Sequence, residues 1–96
     1  PILFNLLGAC FKELGQLKNA QQMFRTAFTI EPNYSEAYFN HGVILRSMGQ
    51  INDSIESYKT AIRLLPNYPN AYNNLGNTYQ EAAYYKIKQA DHYSVV

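Results

Sequence analysis

Three observations predict an all-α fold, a short solenoid of antiparallel helix pairs with two full repeats and a partial, degenerate third. Residues recur at a spacing of 34: Pro32 with Pro66, Asn33 with Asn67, Tyr34 with Tyr68, Ala27 with Ala61, and Gly8 with Gly42 and Gly76. Apolar residues between these landmarks follow i, i+3, i+4, i+7, the spacing of one helical face. Gly15 and Gly49 divide the units in the middle, and Pro32 and Pro66 close them. A period of this length signals stacked supersecondary units. The units run 1–34, 35–68 and 69–96, and a chain of 96 residues makes them parts of one domain.

In the first unit, Phe4, Leu7, Gly8 and Phe11 line one face of a first helix, and Gly15 supplies a residue suited to the left-handed position that ends it. Leu17, Ala20, Phe24, Ala27 and Phe28 form the stripe of a second helix, which Pro32 closes. The second unit repeats this with Tyr38, His41, Gly42 and Leu45, then Ile51, Ser54, Ile55, Tyr58, Ala61 and Ile62. Glycine in mid-helix costs about 1 kcal/mol against alanine. Its return at 8, 42 and 76 points to close backbone approach between paired helices.

The third unit opens at Pro69, a residue suited to a first helical turn. Ala83 then stands where Gly15 and Gly49 stand, Lys88 takes the small-residue position and His92 an aromatic one, although Tyr85 still matches Leu17 and Ile51. Either a degenerate second helix turns back after residue 83, or the first helix runs on. The unbroken stripe of Tyr72, Leu75, Tyr79, Ala83, Ile87 and Ala90 favours the long helix.

These residues resemble the tetratricopeptide repeat (TPR) family. The first unit matches its pattern at Phe4, Leu7, Gly8, Phe11, Gly15, Ala20, Phe24, Ala27 and Pro32. The second matches at Tyr38, Gly42, Gly49, Tyr58, Ala61 and Pro66, with His41, Leu45 and Ser54 departing. The third matches at Tyr72, Leu75, Gly76 and Tyr79. The resemblance covers roughly residues 1–83 and implies a right-handed solenoid that binds proteins without catalysing a reaction.

The other class signals are exclusions. Eight basic and seven acidic residues leave a net charge of +1, which argues against a nucleic-acid or anionic-membrane partner. No apolar run approaches the roughly 20 residues needed to span a bilayer. A chain that opens on Pro1 and lacks a signal-peptide pattern reads as a piece of a longer protein. One cysteine forms no internal disulfide and no multi-cysteine zinc site, and fits a reducing cytoplasm without establishing one. His41 and His92 lack metal-ligand spacing, the carboxylates are scattered, and no phosphate loop or nucleophile elbow occurs, so no catalytic residue, metal or cofactor is expected. Cys10 reads as a small packed hydrophobe, and His41 as a partly buried, hydrogen-bonded side chain.

Candidate binding residues come from two anomalies. Eight of the fourteen rings occupy repeat positions and are expected in the core: Phe4, Phe11, Phe24, Phe28, Tyr38, Tyr58, Tyr72 and Tyr79. Tyr34 and Tyr68 are expected to staple one unit to the next, while Phe39 lies off the packing stripe. Asn70, Asn73, Asn74 and Asn77 crowd one helix although asparagine is a poor helix former. Carboxamides both donate and accept, so a row of them suits a peptide backbone of any sequence. The expected groove comprises Asn40, Asn74, Asn77 and Asn73 with Phe39, and Arg46 and Lys12 favouring a mildly acidic segment.

The family resemblance implies that the first helices line the groove and that Asn40 and Asn74 hold a ligand backbone. It also implies a carboxylate clamp in members that grip acidic C-terminal tails. The clamp positions here hold Asn5, Ala9, Asn40, Asn70 and Asn74; only Asn40 fits, and all three cations are missing. The face looks more like the groove of TPR arms that recruit extended segments, such as those attached to glycosyltransferases and motor light chains. Two alternatives stand beside a peptide-binding scaffold: self-assembly through residues 84–96, with Tyr84, Tyr85, Ile87, Tyr93, Val95 and Val96 as the apolar groups, and a recruiting arm of a larger enzyme.

Overall fold

The computed structural model describes residues 2–94, and side chains as far as residue 90. Expectations for the side chains of Tyr93, Val95 and Val96 lie outside the described residues. Five helices follow one another: α1 (Ile2–Glu13), α2 (Leu17–Ile30), α3 (Ser35–Ser47), α4 (Ile51–Leu64) and α5 (Pro69–Ser94). Among the described residues there is no strand.

The glycine and proline punctuation acts as expected. Gly15 and Gly49 take φ of 77° and 81°, the left-handed region where a Cβ is penalised. The amide of Gln16 then donates to the Phe11 carbonyl at 2.9 Å, and that of Gln50 to the Leu45 carbonyl at 2.8 Å. Such bonds satisfy helix-terminal carbonyls that would otherwise be orphaned. At the far ends of the units, α2 stops before Glu31-Pro32 and α4 before Leu65-Pro66, because a residue preceding proline is pushed out of helical geometry.

Within each pair a ring presses on a glycine. A Cβ built on Gly8 would lie 2.5 Å from the Phe24 ring, and one on Gly42 would lie 2.7 Å from the Tyr58 ring. The glycines therefore lose helix propensity and gain close packing, and burial of each ring stabilises by about 2 kcal/mol. Ser54 departs from the alanine at position 20, yet its hydroxyl donates to the Gly42 carbonyl at 2.7 Å and is satisfied in the core. Ala20, Phe24 and Ile44 form the centre of the first junction, with Phe11, Leu17 and Met48 packed around them.

Successive pairs stack α2 on α3 and α4 on α5. The odd helices also touch one another, α1 with α3 and α3 with α5, whereas α2 and α4 do not. The stack therefore curves with the odd helices on its inner side.

The third unit is a single helix of 26 residues. Ala83 adopts no left-handed conformation, and with strong helix formers on both sides α5 continues past the point where α1 and α3 end. This corrects one expectation. Tyr72 and Tyr79 are 52% and 46% exposed, not core, because the helix that would cover them does not turn back. Nothing lies within 4 Å of a Cβ built on Gly76. At the other end, Cys10 is exposed although its equivalents Ile44 and Thr78 are fully buried, because no described helix precedes α1.

Candidate functional site

The expected groove residues all lie on α1, α3 and α5, the inner helices, but the structure does not bring them together at one site. Asn40 and Asn74 are half-buried, whereas Asn73 and Asn77 are exposed. Arg46 and Asn74 meet in a shallow hollow of about 340 Å³ between α3 and α5, closed by Val43, Ser47, Tyr58 and Glu81. Phe39 and Lys12 lie elsewhere.

Asn40 is held by an internal bond. Its Nδ2 donates to Asn5 Oδ1 at 3.0 Å, across α3 to α1. Asn5 is only 5% exposed, so the pair fixes the Asn40 side chain against its neighbour helix. One N–H and the carbonyl oxygen of Asn40 remain for other partners. Asn40 is therefore a structural residue as well as a groove residue: its loss strips a buried acceptor of its donor.

Arg46 is also engaged. Its Nε donates to Glu81 Oε2 at 2.7 Å, tying α3 to α5. Of the two cations expected in the groove, Lys12 alone has no ion-pair partner among the described residues. An acidic preference based on Lys12 and Arg46 together is reduced, because Glu81 already neutralises one of them. Both cross-helix bonds, Asn40 to Asn5 and Arg46 to Glu81, span 35 residues, one more than the repeat. Equivalence at 34 therefore misses the true facing partner, and reading the inner face at 35 would have found Glu81.

Phe39 is packed and not free in the groove. Its ring centroid lies 5.8 Å from that of Tyr58 and 5.2 Å from that of Tyr68. Burial pushes the Tyr68 hydroxyl up to about 12, with the Glu36 carboxylate adding to the shift. Tyr68 thus reaches back to α3 of its own unit, a contact within the second repeat and not the expected staple between successive units. Tyr34 is raised by the same two causes, burial first and Glu36 second, with Asn5 pulling the other way. The Tyr58 hydroxyl, raised by burial and lowered by Ser54, Asn74 and Arg46 beside it, forms the floor of the hollow.

His41 lies on the other side of α3, between pairs. Its Nδ1 meets Ser57 Oγ at 3.3 Å and its Nε2 meets Gln21 Nε2 at 3.4 Å. With the Gln21 amide donating, the neutral ring carries its proton on Nδ1. The Phe28 ring tilts against it at 5.4 Å and stacks on Tyr38 at 4.2 Å. Burial first, and then Arg25, against the opposing pull of Asp53, lower the imidazole to about 4. The ring acts as a half-buried spacer between repeats.

A second hollow, of about 700 Å³, is not on the inner side. It lies between α2 and the α3–α4 turn, lined by Lys18, Gln21, Gln22, Arg25, Thr26, Thr29, Ile30, Met48 and Gln50. No group of three or more metal-ligating side chains occurs among the described residues. No described helix is long and apolar enough to cross a membrane.

Comparison with known proteins agrees with the repeat. One family model, described as a tetratricopeptide repeat, matches residues 2–34, and a second, described as a TPR repeat, matches residues 42–87. No curated protein sequence matches the chain. Among solved structures, the first TPR of Spaghetti (RPAP3) bound to the HSP90 peptide SRMEEVD superimposes with a TM-score of 0.83 at 22% identity, covering 86% of this chain and 66% of that one. Two structures of MamA superimpose with TM-scores of 0.80 and 0.81, each at 25% identity over 83% of this chain. The chain spans 66% of the first of these structures and 44% and 47% of the other two.

Proposed function

The chain belongs to the tetratricopeptide repeat family of protein-interaction scaffolds, and we propose that it acts as a non-catalytic module holding an extended peptide along the inner side of α1, α3 and α5. The observation that carries this reading is Asn40. Its carboxamide is oriented in advance by Asn5 and keeps a donor and an acceptor free on the inner side. A ligand backbone that meets it loses little to side-chain ordering, since the side chain is already fixed.

Asn74 provides the second point of attachment, at the edge of the hollow, and Asn77 follows it one turn along α5. A backbone running across α3 and α5 would meet both. Recognition through carboxamides is indifferent to ligand side chains, and the Arg46–Glu81 pair removes much of the local positive field. The ligand is thus an extended segment of modest charge, with Lys12 admitting an acidic residue at the α1 end. The HSP90 peptide on the Spaghetti domain supports looking to this fold for an extended ligand. The missing clamp cations argue against a ligand held by its terminal carboxylate.

The test is titration of the chain with a panel of extended peptides, neutral and acidic, with free and amidated C-termini. Each lost backbone hydrogen bond weakens binding by about 1 kcal/mol, so Asn74→Ala with Asn77→Ala should weaken a binding peptide by roughly 30-fold. Amidation should leave affinity unchanged. Equal affinity of wild type and double variant for a binding peptide would remove the inner side as the site.

A further inference from the structure

The curvature of the stack opens its outer side. The odd helices touch one another on the inner side, but α2 and α4 do not meet, and the hollow of about 700 Å³ is left between α2 and the α3–α4 turn. Its volume is within the usual range of ligand sites. Its charge has one sign. Lys18 and Arg25, two turns apart on α2, line it and have no ion-pair partner among the described residues. No carboxylate lines it; Asp53, whose charge acts on His41, is outside the lining. The second unit shows that this is not a property of every outer face. The positions equivalent to Lys18, Gln22 and Arg25 hold Asn52, Glu56 and Lys59, and there Lys59 Nζ is 3.7 Å from Glu56 Oε1. The cation is neutralised on its own helix in the second unit and left open in the first.

We propose that this outer hollow binds an extended acidic segment of a partner protein, with Lys18 and Arg25 each receiving a carboxylate and the Gln22 and Gln50 carboxamides holding the backbone between them. Lys18 and Arg25 lie about 10 Å apart along the helix, the length of about three residues of extended chain. A run of acidic residues therefore brings a carboxylate to each cation, whereas a single one satisfies only one of them. Gln21 is already bonded to His41, and Thr26 Oγ1 donates to the Gln22 carbonyl at 2.9 Å. The side-chain amides of Gln22 and Gln50 have no such partner among the described residues, so both can donate to and accept from a peptide backbone. An extended chain fits better than a helix. Met48 and Ile30 are the only aliphatic side chains or methionines in the lining, too few to seat the apolar face of an amphipathic helix. No aromatic ring lines the hollow, so a nucleic-acid base finds nothing to stack on. The inference does not depend on the inner-side reading, because the two faces share no residue.

Fluorescence anisotropy of the full chain with a labelled hexaglutamate peptide, acetylated and amidated at its ends, tests the site at neutral pH and low salt. Saturable binding is expected, and it should weaken as salt rises. Lys18→Glu with Arg25→Glu, both exposed on α2, should weaken binding roughly tenfold or more by replacing two attractions with two repulsions. Lys86→Glu with Lys88→Glu makes the same change of net charge on α5 and should leave affinity within about twofold. In NMR spectra of the wild type, the side-chain amides of Gln22 and Gln50 should shift on titration while those of Asn40 and Asn74 stay in place. A thymidine hexanucleotide should bind roughly tenfold more weakly than the peptide, having no ring to stack on. No saturable binding by wild type up to millimolar peptide would overturn the inference. So would an equal loss in the two charge-reversed variants, shifts confined to Asn40 and Asn74, or equal binding of the oligonucleotide.

Discussion

Gly42 and Gly76 occupy the same repeat position in opposite circumstances. The Tyr58 ring lies on Gly42, while nothing lies on Gly76. The first is a packing requirement that only glycine meets; the second has the propensity cost of a mid-helix glycine with no contact to offset it. What a repeat residue does is thus decided by the neighbour it receives. The same holds for Cys10, exposed, and Ile44, buried, at one position of α1 and α3.

Substitution at these glycines should separate the two regions most sharply. Gly42→Ala forces a methyl group against Tyr58, and overpacking of this kind costs about 1–3 kcal/mol. Gly76→Ala should stabilise the single chain by about 1 kcal/mol through helix propensity alone. Urea unfolding at a concentration where the chain is monomeric reads both; equal signs for the two would break the contrast.

A second effect lies in the Asn5–Asn40 pair. Asn40→Ala should destabilise by about 1–3 kcal/mol, since Asn5 is left buried without its donor. Asn77→Ala, on an exposed carboxamide of the third unit, should change stability by less than about 0.5 kcal/mol. Chemical denaturation of the two variants measures the difference.

A third effect is the pH dependence of the α2–α3 junction. His41 falls from 6.5 to about 4 on folding, so the stability carried by its neutral ring is full above pH 6.5 and is lost as pH drops toward 4. Allowing for the ring's partial contact with water, the loss is about 1 kcal/mol. His41→Gln should flatten the melting-temperature profile between pH 6.5 and 4 relative to wild type. The smallest expected effect is that of Arg46→Ala: with both partners partly exposed, the ion pair should be worth less than about 1 kcal/mol, with a weak dependence on salt.

The period, the two complete pairs and the glycine and proline punctuation were legible in the sequence because each rests on local chemistry. Gly15 and Gly49 end helices by backbone geometry whatever surrounds them, and Ala83 fails to end one for the same reason. Burial was legible only where both neighbours exist. The rings of Tyr72 and Tyr79 were expected in the core because their equivalents are packed, but packing needs a second surface, which α5 does not turn back to provide. The inner side was legible in kind and not in register. Asn40 and Asn74 were singled out by residue type, whereas the engagement of Arg46 by Glu81 and the bond of Asn40 to Asn5 follow a 35-residue offset set by how the odd helices lie side by side. Phe39 was read from its own helix alone, and its contacts come from α4 and the loop beyond it.

The straightness of α5 through Ala83 underlies the uncovered face and the exposed tyrosines. It is measured most directly by the distance between spin labels at residues 72 and 90, with Cys10 replaced by serine and the labelled chain diluted into an excess of unlabelled copies. Eighteen residues of continuous helix at 1.5 Å per residue separate the two backbones by about 27 Å, and a distance near that value is predicted. A distance of about 13 Å, from roughly 10 Å across two packed antiparallel helices and about 9 Å along them, would contradict it.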